Sequence, residues 1–133
     1  MKKIMLDTNT YAKYILGDPA VLAQIIEADK IYLSSVVIGE LIAGFLGGSQ
    51  INKNRDNLNK FISKSTVQVL AVGVETSEIY AELKNDLKRK GTPIPTNDIW
   101  IAACAVENGA KLITYDKHFL NIQGLRLWEE IKK

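Results

Sequence analysis

Asp7 in LDTNTY, Glu40 in VVIGELIAG, Asp98 in PTNDIWIAA and Asp116 in LITYDKHF are acids set within or at the ends of apolar segments. Brought together, four carboxylates form an oxygen-only site of the kind hard divalent cations take. Each acid also has an ordinary reading. Asp7 and Asp116 each follow an apolar run and can cap the turn that comes next. Asp98 opens a helical stretch, where the helix dipole stabilises an acid without further purpose. Glu40 is harder to explain, because Val36, Val37, Ile38, Leu41 and Ile42 leave little polar edge for it. A carboxylate buried there without a partner is costly; the alternative is a narrow solvated stripe.

The elements that must position these acids follow a βα rhythm, which predicts an α/β fold with a central, mainly parallel sheet of four to five strands flanked by helices. Strands are expected at Lys2–Leu6, Ile31–Ser34, Val67–Ala71 and Lys111–Tyr115, with a weaker one at Leu125–Trp128. Each is a compact apolar run suited to a sheet covered on both faces. Helices are expected at Thr10–Leu16, Pro19–Ala28, Val36–Leu46, Asn52–Ser63, Glu75–Lys90 and Asp98–Asn108, with Asp18-Pro19, Thr96-Asn97 and Asn108-Gly109 as start and stop signals.

In such a sheet Asp7 and Asp116 leave strands at the carboxyl edge, where open parallel sheets bind ligands. Glu40 follows its own strand by one or two helical turns. The helix headed by Asp98 ends just before the fourth strand, so it starts at the same edge, reached by the extended segment GTPIPTN, which spans roughly 20 Å. Carboxylates so gathered repel one another. Two charges about 5 Å apart at an effective dielectric near 20 cost roughly 3 kcal/mol. A cation must offset that, and with one histidine and one cysteine in the chain, nitrogen and sulfur ligation is poorly supplied. Mg²⁺ or Mn²⁺ is the expected counter-charge. Its chemistry on a bound water and a phosphoryl oxygen makes phosphodiester hydrolysis the expected reaction.

The totals agree with this and add limits. The 133 residues and a 47% apolar share suit one domain with a real core, expected to span 1–133. A formal charge of +2 does not by itself mark a polyanion binder. Cys104 lies in IWIAACAV and reads as a buried free thiol. The apolar stretch before Asp7 is too short for a signal peptide and no run spans a bilayer, so a soluble cytoplasmic protein without membrane contact is expected.

The blocks LDTNTYAKYI, SSVVIGELIAG, PTNDIWIAACA and LITYDKHF, in this order and spacing, resemble the four motif blocks of PIN-domain ribonucleases, above all the VapC toxins of bacterial toxin–antitoxin modules. The resemblance covers nearly the whole chain and implies a PIN-like three-layer fold. It implies catalysis and metal ligation at Asp7, Glu40, Asp98 and Asp116, with polar support from Asn9 and Thr114. It also implies endonucleolytic cleavage of structured RNA, transfer or ribosomal, by an enzyme that forms a homodimer and is silenced by a cognate VapB-type antitoxin.

A site that cuts a polyanion needs flanking cations. Lys13, Lys117 and His118 are the candidates nearest the acids, with Lys88, Arg89 and Lys90 further off, where a helix C-terminus favours cations in any case. His118 reads equally as a surface residue, and Tyr11, Tyr14 and Phe45 as core or as the lining of an antitoxin groove. Three rival readings are weaker. A receiver domain would need an aspartate after the third strand, and VQVLAVGVET has none. An inactive PIN-like RNA-binding module fits poorly with a complete acid set. A DNA-directed relative would carry extra clamping segments.

Overall fold

The computed structural model describes residues 1–133. Four strands, β1 (Lys3–Leu6), β2 (Lys30–Ser34), β3 (Val67–Leu70) and β4 (Lys111–Ile113), form one parallel sheet in the order β3-β2-β1-β4. Register is set by Ile4 opposite Ile31 on one side and Lys111 on the other, and by Ile31 opposite Val67. Six helices connect them: α1 (Thr8–Ile15), α2 (Pro19–Glu27), α3 (Ser35–Leu46), α4 (Ile51–Ile62), α5 (Val74–Lys90) and α6 (Thr96–Glu107). The chain steps outward from β1 through β2 to β3, then crosses back to place β4 on the far side of β1. That reversal puts a topological switch between β1 and β4, and a crevice opens beyond the carboxyl ends of two such strands.

The core follows from the strand sequences. Ile4, Met5 and Leu6 of β1 and Ile31, Tyr32 and Leu33 of β2 are buried, as are Leu112 and Ile113 of β4. Helix α6 supplies Ile99, Ile101, Ala102, Cys104 and Ala105, with small side chains that let it lie close against its neighbours. Tyr11 closes the other side against Phe61, ring centroids 5.4 Å apart and edge to face. Tyr11 and Tyr14 are thus packed into or against the core, and Phe45 packs against it from α3.

Several boundaries differ from expectation, each for a local reason. Helix α1 starts at Thr8 because Asp7 caps it, accepting from Thr10 N at 2.8 Å. Helix α6 starts at Thr96, so Asp98 sits within its first turn rather than at its head. The expected fifth strand at Leu125–Trp128 shrinks to one bridge, Leu112 to Leu127, between the positive-φ Gly124 and a terminal 3₁₀ turn. Strand β4 stops at Ile113, since the Thr114 carbonyl accepts from the Trp128 indole at 2.6 Å instead of continuing a ladder. Strand β3 is not covered on both faces: it is the sheet's edge, with Gln68 exposed and Val69 38% exposed.

The route to Asp98 also differs. Helices α5 and α6 are antiparallel, with Thr76 in the first turn of α5 donating to Glu107 at the end of α6, 2.5 Å away. At the other end Leu87 and Lys88 share a cavity with Thr96 and Ile99. Helix α5 itself therefore carries the chain to the crevice, and the five residues from Gly91 to Pro95 only turn the corner. Gly91, at φ 71°, ends α5 in the left-handed conformation that a side chain disfavours.

Candidate metal and nuclease site

The loop after β1 places Asp7 at the switch point with little freedom. Its carboxylate is buried, one oxygen capping α1 and the other accepting from Thr114 Oγ1 at 2.5 Å. Thr114 in turn accepts from Asp116 N at 3.0 Å, so one hydroxyl ties the loops after β1 and β4 together. Asp116 accepts from His118 N at 3.3 Å, capping the 3₁₀ turn Lys117–Asn121. The cap readings of both aspartates hold as local structure. The caps and the Thr114 hydrogen bond fix both carboxylates where they line the crevice.

Glu40 enters from α3. Its Oε1 accepts from Thr8 Oγ1 at 2.5 Å and its Oε2 from Asn97 Nδ2 at 3.3 Å. Glu40 is partly exposed, no cation pairs with it, and two neutral donors hold it over the crevice. Asp98 stands one residue beyond Asn97. Burial holds its carboxyl above the usual range; the charges of Glu40 and Asp116 push the same way, and His118 opposes them. An acid in that setting gains most from a cation brought alongside.

Asp7, Thr8, Asn9, Glu40, Pro95, Thr96, Asn97, Asp98 and Asp116 line one cavity of about 520 Å³, all polar residues except Pro95. All four predicted acids are in it. Asn9 lies exposed on its rim, while the support for Glu40 comes from Thr8 and from Asn97, which the sequence marks only as part of a helix start. Their only signal is position: each is a polar residue directly beside a strand-end or helix-start acid. The donor set suits a hard cation, being carboxylate oxygens with hydroxyl and amide groups around them. The one thiol is elsewhere: Cys104 is buried in α6, its pKa pushed up to about 11 by burial and then by Glu107.

Lys13 and Lys117 border a second cavity that shares Asp7, Asn9 and Asp116 with the first and adds Tyr115. Lys13 Nζ lies 5.0 Å from the centroid of the Tyr115 ring, and the Tyr115 hydroxyl donates to Asp18 at 3.0 Å. Burial, then the Asp18 hydrogen bond, raises the phenol to about 12. Lys90 and Arg89 are engaged elsewhere, with Asp86 at 3.2 and 3.5 Å and, for Lys90, the Asn121 carbonyl at 2.9 Å. They close the end of α5 rather than face the acids.

With this geometry in hand, the chain can be set beside known proteins. It matches the PIN domain family over residues 4–125. Ribonuclease VapC1 of Haemophilus influenzae strain R2866 is 31% identical over 134 residues, covering 97% of this chain and 98% of that protein. The tRNA(fMet)-specific endonuclease VapC of Salmonella typhimurium is 29% identical over 130 residues, 96% of this chain and 97% of its own. Among solved structures, DNA-bound VapBC from Salmonella typhimurium superposes with a TM-score of 0.85 at 29% identity, over 96% of this chain and 98% of that one. VapBC-1 from nontypeable Haemophilus influenzae gives 0.84 at 29%, over 98% and 99%. Motif order, sheet topology and these matches agree, and the chain belongs to the PIN-domain family.

Proposed function

We propose that this chain is one PIN domain over residues 1–133 acting as a metal-dependent endoribonuclease, the toxin of a toxin–antitoxin pair. The observation that carries the reading is the convergence of Asp7, Glu40, Asp98 and Asp116, from four separate segments, on one cavity. These four would hold Mg²⁺ or Mn²⁺. When bound, such an ion activates water and stabilises charge on a phosphoryl oxygen.

The chain's own residues do the rest. Thr114 and the α1 cap fix the Asp7 carboxylate, so it does not reorganise as charge arrives. Thr8 and Asn97 hold Glu40 in the same manner. Lys13 and Lys117, at the adjoining cavity, would meet phosphates flanking the scissile one. Structured RNA, transfer or ribosomal, is the proposed substrate, met in the cytoplasm; no helix is long and apolar enough to cross a membrane. The relatives solved as VapBC complexes support a VapB-type antitoxin as partner. Exposed Leu16 on the α1 side and Ile26 on α2, 85% and 74% accessible, offer it apolar surface. Pairing of two copies belongs to the same reading, and exposed Val69, Val72 and Val74 beside the β3 edge support it.

Cleavage of total bacterial RNA by the purified, partner-free protein tests this. Discrete fragments are expected with Mg²⁺ or Mn²⁺ and none with EDTA. Asp7→Asn and Asp98→Asn should each lower the rate by about a thousandfold, roughly 4 kcal/mol of transition-state stabilisation. A folded wild type that binds metal yet cuts no RNA would favour the inactive RNA-binding module instead.

A further inference from the structure

Two acids of the crevice touch the same imidazole. His118 Nε2 lies 2.8 Å from Asp98 Oδ2, and Nδ1 lies 2.9 Å from Asp116 Oδ1. A neutral imidazole has one N–H and one lone pair. It can donate to one of the two carboxylates, and its other nitrogen then turns a lone pair toward an anion. Nε2 is a buried nitrogen without an aligned hydrogen-bond partner, and it is the one that faces Asp98. Either a proton or a metal ion between Nε2 and Asp98 removes the conflict, and a divalent ion entering the crevice would take the proton's place. Cis donors around an ion with bonds of about 2.1 Å stand about 3 Å apart, close to the spacing seen here.

We propose that His118 Nε2 is a ligand of the divalent ion, alongside Asp98, while Nδ1–H donates to Asp116 and fixes the tautomer. The inference rests on the metal reading of the crevice and extends its ligand set beyond carboxylates. A ligating imidazole commonly keeps its second nitrogen on a carboxylate, which orients the ring and raises its basicity. The ring is also restrained, since the backbone of His118 donates to Asp116 and its ring centroid lies 4.8 Å from that of the buried Phe119. The ligand atoms of Asp98, Asp116 and His118 all lie within 4.8 Å of one another.

A nitrogen donor changes which ion the site prefers. Mg²⁺ favours oxygen, whereas Mn²⁺ and the later first-row ions accept imidazole readily. Asp7 and Glu40 supply oxygen alone, so the Asp98 end of the crevice becomes the end that selects Mn²⁺.

The chain contains a single histidine, so a nitrogen signal at bound metal has one imidazole source. The test is pulsed electron paramagnetic resonance on the full chain, without an added histidine tag, loaded with Mn²⁺ alone. Modulation from a directly bound ¹⁴N is expected in the wild type, and growth on ¹⁵N-histidine should convert it to the ¹⁵N pattern. His118→Gln should abolish it, weaken Mn²⁺ binding by about tenfold and weaken Mg²⁺ binding by less than about twofold. Mn²⁺ bound to the wild type without a nitrogen signal overturns the inference and leaves the nuclease reading standing. Failure of Mn²⁺ to bind the wild type at all overturns both.

Discussion

The two edges of the sheet carry opposite charge and handle it in opposite ways. At the amino edge β1, β2 and β4 each begin with a lysine, Lys3, Lys30 and Lys111, and Lys3 lies opposite Lys30 in register. Lys2 and Arg126 join Lys3 and Lys111 around one pocket. Lys3, Lys30 and Lys111 are partly exposed and Lys2 largely so: the Lys2–Glu27 pair, 3.4 Å apart, is 68% and 62% exposed. At the carboxyl edge four acids converge, and each is held by named donors or an imidazole rather than by solvent. Solvated like charges need no partner to be tolerated. Gathered and half-buried ones store repulsion that a ligand can relieve. The edge that looks less comfortable for the free protein is therefore the edge built for binding.

Removing the pin that aims an acid should do most damage. Thr114→Val leaves Asp7 without its 2.5 Å donor and the Asp116 amide without its acceptor. Activity is expected to fall by about ten- to a hundredfold and stability by about 2 kcal/mol in denaturant titrations. Wild-type cleavage by this variant would show that the acids need no positioning.

Cations sharpen the contrast next. Lys13→Ala with Lys117→Ala should weaken RNA binding and reduce the slope of log affinity against log salt by about 1.4, at about 0.7 for each phosphate no longer neutralised. The matched amino-edge pair, Lys2→Ala with Lys3→Ala, should leave that slope unchanged. Equal effects at both edges would mean that RNA is held by general charge.

The smallest effect is the most diagnostic in sign. Asp98 titrates above its unfolded value, so the folded state holds that proton more tightly than the unfolded one. Its contribution to stability is present at acid pH and is lost as pH rises through the folded value. Asp98→Asn should therefore stabilise the metal-free protein at pH 7 by about 1 kcal/mol, with the gain vanishing at acid pH in thermal melts. Lys2→Ala, which breaks only an exposed pair, should cost no more than about 0.5 kcal/mol. Destabilisation by Asp98→Asn at pH 7 would contradict the idea of stored repulsion.

How much of this is legible in the sequence depends on range. Asp7 and Asp116 end apolar runs, and Glu40 interrupts one, so local pattern alone locates the acids and their strands. The roles of Thr8 and Asn97 are invisible to local pattern because they lie in contacts with Glu40 spanning 32 and 57 positions along the chain. The exposed face of β3 is hidden for a related reason: VQVL reads as a buried run, and being at the sheet's edge is a property of strand order. The link from Tyr115 to Asp18, 97 positions away, is likewise tertiary. Helices α1 and α6 each start two residues earlier than expected because Asp7 and Pro95 set the entry to each helix.

The central claim is that the carboxyl-edge crevice holds the divalent ion. Anomalous diffraction from crystals of the protein soaked in Mn²⁺ tests it most directly. The account predicts an anomalous peak in the cavity lined by Asp7, Glu40, Asp98 and Asp116, absent in Asp98→Asn. A saturated crystal with manganese bound elsewhere, or with no peak in that cavity, would contradict it.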